Sequence, residues 1–361
     1  MTEKNKKVFK VIAVIVAIIL IVALGVIISK KVKTEKANTP YDNSSIAMGT
    51  VISESIYSNS EEASKNVAKD LTLLINSLDS KNLSWRIKGA DVYKINELKN
   101  FKASAITADC IDTCLNVAKD SNGVFDITVG ELSTLWGIGT ENARVPSDKE
   151  IEKALASINY NKVSVKDRNV SIAENQKLDL GAVGKGLACD SARDYLDSYN
   201  KNDSNKDKVN GAVISVGGSI LLYGTNPSSD NGKWKVGIRD PFGDENSYAA
   251  VLEVGECCIS TSGDYEKVLE KDGKKYHHIL DPRTGYPASG DITGVTIISS
   301  SGLLSDALST ACFILGDTRS SMELLEKYDA KAIFFHKDGT VHASTDFGDS
   351  LKLVEDIWKL K

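Results

Sequence analysis

Basic charge and aromatic side chains are both in short supply in this chain. Its 361 residues carry a formal net charge of -5, and only 7% of them are Phe, Trp or Tyr. A nucleic-acid surface needs clustered Lys and Arg, and no RNP, zinc-finger or helix-turn-helix pattern is present. These absences argue against a nucleic-acid partner. Cysteine pairs with metal-site spacing are missing too. Of the six cysteines, Cys257 and Cys258 are neighbours, Cys110 and Cys114 lie one helical turn apart, and Cys189 and Cys312 fall among apolar helix positions. Adjacent cysteines rarely reach bridging geometry, so all six read as small buried side chains. Neither GxxxxGK[ST] nor GxGxxG occurs. Histidine is rare as well, yet two of the four stand side by side at His277 and His278.

What is present begins with an uncharged apolar run, Val11 to Ser29, flanked by lysines. A helix needs about 20 apolar residues to cross the hydrocarbon core, and a run of this length suffices. A charged start followed by an apolar stretch is the pattern of an export signal. No cysteine follows the run to carry a lipid, and the small-x-small set Ala23-Leu24-Gly25 lies inside it. The segment therefore reads as an uncleaved signal anchor over 1–32, in preference to a cleaved signal. The expected location is the cell membrane, single-pass, with the bulk of the chain extracytoplasmic. A polar tether, 33–45, and one domain, 46–361, complete the expected organisation.

Within the domain, helical periodicity marks Glu61 to Leu78, Ala103 to Lys119 and Asp148 to Ala156, the last opened by the capping-like Ser147-Asp148-Lys149-Glu150. From Lys162 onward β-branched strands alternate with helices, and a hairpin turning at Asp338-Gly339 closes the chain. The expected fold is α+β, with mixed, largely antiparallel sheets and packed helices, preceded by one transmembrane helix.

Several stretches could carry chemistry. "LDLGAVGKGLACD", Leu178 to Asp190, reads as a strand ending at Asp179, a glycine-rich turn and a helix. That arrangement can point free backbone N–H groups at a phosphate, with Lys185 adding charge; close helix–strand packing through Gly181, Gly184 and Gly186 is the alternative. In "SDALSTACFILG", Asp306 and Thr310 share a helix face. They could ligate a hard cation such as Mg2+, or Asp306 could cap the helix while Thr310 bonds back to its own turn. "FDITVGELSTLWG" reads as Phe125 and Asp126 followed by a glycine-bounded apolar strand, and "AMGT" places Met48 before another. In "HHILDPRTGYP" the Asp-Pro and Thr-Gly turns form a rigid loop able to present an imidazole and the Asp281 carboxylate together.

Taken in order, "AMGT", "FDITVG…LWG", "LDLGAVGKG", "SVGG", "STSGDY", "HHILDPRTGYP" and "SDALSTACFILG" resemble the ApbE family of FAD:protein FMN transferases, from about Ile46 to the C-terminal hairpin. The resemblance implies a Mg2+-dependent enzyme that splits the pyrophosphate of FAD, transfers FMN through its phosphate to a threonine of an exported or membrane partner protein, and releases AMP. It also implies that Met48 and Trp85 contact the flavin, with Phe125 and Asp126 nearby. Asp179 and Lys185 would bind FAD. The Ala182 carbonyl, Asp306 and Thr310 would hold Mg2+. His278 would lie against the pyrophosphate and Leu280 would line the pocket, with His278 or a nearby carboxylate such as Asp281 accepting the threonine proton. FAD hydrolysis to FMN and AMP, or flavin carriage without turnover, are the alternatives.

Overall fold

The computed structural model describes residues 38–244 and 246–361. The apolar run read as a signal anchor lies outside them. Among the described residues no helix is long and apolar enough to cross a membrane.

Nine strands form the central sheet. From edge to edge they are Tyr41–Ala47, Thr50–Ser58, Val209–Val216, Ser219–Gly224, Cys257–Gly263, Ile292–Ser299, Lys331–His336, Thr340–Ala343 and Lys359–Leu360. Neighbours pair antiparallel except the last two, which are parallel. Two of the connecting hairpins are tight. The first turns at Met48-Gly49, where both residues have positive φ. The second turns at Gly217-Gly218, with Gly217 at φ +57°. Such turns match the right-handed twist of the strands they join.

Helices cover one face of this sheet, and a three-stranded sheet (Leu351–Leu353, Tyr248–Val254, Trp234–Arg239) covers part of the other. Ile292–Ser299 is consequently buried at every position, and its sequence shows no apolar–polar alternation. The larger core lies between the central sheet and the helices Glu61–Leu78, Ala105–Asp120, Gly184–Lys201 and Gly302–Leu315. Trp234, Leu252 and Phe335 belong to the core between the two sheets. The mixed, largely antiparallel α+β architecture expected from sequence is the one observed, and all six cysteines are buried and free.

Three local readings need correction. The first strand begins at Tyr41, so 41–45 belong to the folded domain and not to the tether. The segment after Phe125-Asp126 is a short helix, Gly130–Trp136, and not a strand. Gly130 opens it against the chain at Lys177, where a Cβ would lie 2.5 Å from the Lys177 carbonyl oxygen. Leu178 and Asp179 belong to no strand. The Asn96 side chain takes the place of a neighbouring strand: Nδ2 donates to the Leu178 carbonyl at 2.9 Å, and Oδ1 accepts the Leu178 N–H at 2.7 Å. A single amide side chain thus satisfies a buried backbone residue that would otherwise require a ladder.

Candidate active site

The helix Gly184–Lys201 starts without a side-chain cap. An uncapped start normally leaves several N–H groups open to an anion. Here most are already used: Val183 and Gly184 donate to the Leu180 carbonyl, and Gly186 donates at 2.6 Å to Oδ2 of Asp306. Of the expected phosphate cradle, two N–H groups are therefore spent on its own turn and one on a carboxylate of the same chain. Asp306 comes from the helix Gly302–Leu315, and the two helices touch backbone to backbone. A Cβ on Gly186 would lie 2.0 Å from the Gly302 carbonyl oxygen, and one on Gly302 would lie 2.2 Å from that of Gly186. Only glycine permits this approach.

Asp306 is buried, and its other oxygen accepts from the hydroxyls of Ser219 and Ser260, each at 2.6 Å. Burial raises its carboxyl above the ordinary value, against the pull of Lys185 and of the three donors. One turn on, Thr310 is half-buried and its hydroxyl makes no hydrogen bond to the described residues. An ionised carboxylate offers about four acceptor positions, and three are filled here. The remaining Oδ2 position, the Thr310 hydroxyl and the backbone carbonyl of the exposed residue Ala182 are oxygen donors, the type that hard cations take. No group of three or more His, Cys, Asp or Glu suited to a metal occurs among the described residues; a set with one carboxylate does not require one.

Lys185 projects from the first turn of its helix to the Gly217-Gly218 hairpin. A Cβ built on Gly218 would lie 3.7 Å from Lys185 Nζ and 3.8 Å from Glu266 Oε1. The bare glycine turn keeps this floor open. Met48 reaches the same helix from the first hairpin, its Cε 3.3 Å from where a Gly184 Cβ would stand.

The two histidines differ in kind. His277 is buried, with Nε2 2.8 Å from the Ala288 carbonyl, Nδ1 accepting the Ile279 N–H and the ring edge-on to Phe313. It fastens the loop. His278 places Nδ1 3.1 Å from the Glu266 carbonyl. A carbonyl only accepts, so Nδ1 carries the proton and Nε2 presents a lone pair. Burial pushes the His278 pKa down to about 4, aided by the nearby charges of Lys267, His277 and Lys185. The imidazole is therefore neutral at physiological pH.

The other expected site residues divide into two groups. Trp85 lies between cations, with Lys177 Nζ 4.0 Å and the Arg86 guanidinium carbon 4.4 Å from its ring centroid. Burial lowers the Lys177 pKa, and the Asp179 carboxylate nearby acts against that. Asp179 itself accepts from the Gly181 N–H at 2.8 Å, forming the turn. Leu280 is half-buried against the small cluster around Trp136. Phe125, Asp126 and Asp281 are each tied into the surrounding framework. Phe125 is core. Asp126 is buried and accepts from the Thr128 N–H and hydroxyl and the Tyr160 N–H. Asp281 pairs with Arg283 through both oxygens, the closest contact 2.7 Å, and its backbone carbonyl accepts from Thr284 and Gly285. That carboxylate is committed to the loop. Ser219, Ser260 and Glu266 escaped the sequence reading. The motifs "SVGG" and "STSGDY" run beside or through all three, but only the folded sheet shows that the serines converge on Asp306.

A model of the ApbE family matches residues 48–334. The chain belongs to the ApbE family. The FAD:protein FMN transferase of Treponema pallidum (strain Nichols) is 33% identical over 259 residues, 68% of this chain and 69% of that protein. That of Escherichia coli (strain K12) is 29% identical over 284 residues, 76% of this chain and 75% of that protein. The crystal structure of the ApbE protein from Thermotoga maritima superposes with a TM-score of 0.74 at 31% identity, covering 84% of this chain and 96% of that one. The ApbE match, from Met48, spans the Met48-Gly49 and Gly217-Gly218 turns, the Lys185 helix, the His278 loop and the Asp306 helix.

Proposed function

We propose that this chain transfers FMN from FAD, through its phosphate, to a threonine hydroxyl of an exported or membrane partner protein, releasing AMP. The observation that carries this reading is a chain of contacts around the Gly217-Gly218 turn, in a protein whose named relatives are FAD:protein FMN transferases. Lys185 Nζ and Glu266 Oε1 both lie beside Gly218, the Glu266 carbonyl holds Nδ1 of the neutral His278, and Ser219, next to the turn, donates to Asp306.

Phosphoryl transfer needs alignment and charge neutralisation more than covalent help. Lys185 suits the diphosphate because its ammonium reaches the glycine turn at Gly218 from the first turn of its helix. His278 is set to take the threonine proton at Nε2, since Nδ1 is held by Glu266. Met48, from the hairpin tip, and Trp85, backed by Lys177, are the apolar surfaces for the flavin. Ala182, Asp306 and Thr310 would hold a Mg2+ ion, which when bound supplies charge neutralisation at the diphosphate. The apolar run Val11 to Ser29 is proposed to tether the domain to the outer face of the cell membrane, where exported acceptors are found.

The full chain, given FAD and Mg2+ together with a membrane fraction of its source cell, should release AMP and yield a fluorescent protein band on a denaturing gel. AMP without a labelled band would show hydrolysis instead, and neither product would overturn the reading.

A further inference from the structure

We propose that Asp190 is a positioning residue of this site, the strut that sets the register between the Lys185 helix and the Asp306 helix. The proposal takes its catalytic meaning from the function proposed above. Asp190 lies on the Lys185 helix, yet three of its five partners belong to the start of the other. Oδ1 accepts from the Gly302 N–H at 2.7 Å, and Oδ2 from the Leu303 N–H at 2.9 Å and the Ser301 hydroxyl at 2.8 Å. The fourth partner is Arg193, whose Nη1 donates to Oδ1 at 3.0 Å and whose Nη2 donates to Cys258 Sγ at 3.0 Å. The fifth is the Cys258 thiol, which donates to Oδ1 at 4.0 Å. The strut therefore continues into the central sheet.

The physical need for such a strut follows from the glycine contact. Two helices that meet at bare backbone have no interdigitating side chains at the contact to stop them sliding or rolling. Gly186 and Gly302 fix how close the helices come, but not how far one is advanced along the other. A carboxylate on one helix that binds two N–H groups and the capping hydroxyl of the other fixes that second coordinate. The hydrogen bonds are charge-assisted and the negative charge sits at a helix N-terminus. Asp306 lies one turn beyond these groups, and its 2.6 Å bond to Gly186 returns to the first helix. Asp190 and Asp306 thus cross-link the same two helices in opposite senses, on either side of the glycine contact. The donor set that spans both helices depends on that register.

The full chain carrying Asp190→Asn is compared with wild type and with Asp91→Asn. Asp91 caps the start of the helix Ala105–Asp120 in the same manner, through the Ser104 N–H and the Thr107 hydroxyl, and so matches the loss of a cap without touching this register. Without metal or FAD, amide exchange at Gly186 should be about ten-fold faster in Asp190→Asn only. By calorimetry, and by AMP release from FAD, the Mg2+ requirement should rise about ten-fold, the usual scale for groups that orient a ligand. The FAD concentration for half-maximal rate should stay unchanged. Wild-type Gly186 protection and wild-type Mg2+ binding in Asp190→Asn would overturn the proposal. Should that variant not fold, Ser301→Ala removes one of the three cross-helix donors and must speed Gly186 exchange in the same direction; no change would equally overturn it. If wild type itself neither binds Mg2+ nor releases AMP, the functional reading falls, and the metal-free exchange still decides the role of Asp190.

Discussion

The indole Nε1 of Trp136 donates to the carbonyl of Gly285 at 2.8 Å. The two residues are 149 positions apart in sequence; Trp136 is the centre of "LWG", and Gly285 closes "DPRTG". The bond is buried, Tyr276 and Tyr286 pack around the indole, and Gly285 has φ +77° with Ile151 where a Cβ would go. The loop that aims His278 is therefore held at its far end by a tryptophan from a different part of the chain.

Trp136→Phe keeps most of the apolar bulk and leaves the Gly285 carbonyl without its donor. An unsatisfied buried acceptor costs about 1–3 kcal/mol. The denaturation midpoint should fall accordingly, and the rate of AMP release should fall with it at unchanged FAD saturation.

The histidine pair should separate cleanly. His278→Ala is expected to keep its melting temperature and lose transfer by about 10²–10⁴-fold, the range of a lost general base. His277→Ala removes the contacts to Ala288, Ile279 and Phe313 and should lose stability first. Equal losses of transfer at equal stability would show that the wrong imidazole has been assigned.

Acid should reveal the buried state of His278. Its folded pKa of about 4 lies below the value of about 6.5 for a free imidazole. Between those values the unfolded chain binds a proton that the folded one does not, so stability falls as pH drops from about 6.5 towards 4. His278→Asn should flatten that part of the stability profile. Before the transfer step His278 is unprotonated through neutrality, so its titration should not limit the rate between about pH 6 and 8.

Asp306 holds three buried donors, and Asp306→Ala should therefore cost stability as well as Mg2+ response, about 1–3 kcal/mol for the donors it strands. Asp306→Asn is the gentler test. Thermal melts should show a smaller loss, while calorimetry should detect no Mg2+ binding. Full Mg2+-dependent activity in either variant would remove Asp306 from the metal site.

Closing the glycine contact should be worse still. Gly186→Ala drives a methyl into the Gly302 carbonyl, and overpacking of this kind costs about 1–3 kcal/mol or more. A lowered denaturation midpoint, with loss of Mg2+ binding, is the expected result.

Much of the fold was legible because it rests on local rules. The Ser147–Glu150 capping box opens its helix as the sequence indicates, Asp338-Gly339 turns its hairpin, and continuous apolar runs became strands buried on both faces. The errors fell where a distant group substitutes for local structure. Asn96 acts as a partner strand for Leu178, and Lys177 presses on the start of the helix at Gly130. No periodicity within either segment could indicate that.

By itself the sequence determined the residue types and the order in which they occur: the glycine-rich turn, the His278 loop, and the Asp306–Thr310 helix face. Tertiary structure decided what each group is free to do. It showed that the Lys185 helix end binds a carboxylate of its own chain, and that the Asp281 carboxylate is paired through both oxygens with Arg283. It also showed that His278 offers Nε2 because Glu266 holds Nδ1. Hydrogen-bond capacity is finite, and whether a side chain has any left depends on partners that can lie more than a hundred residues away.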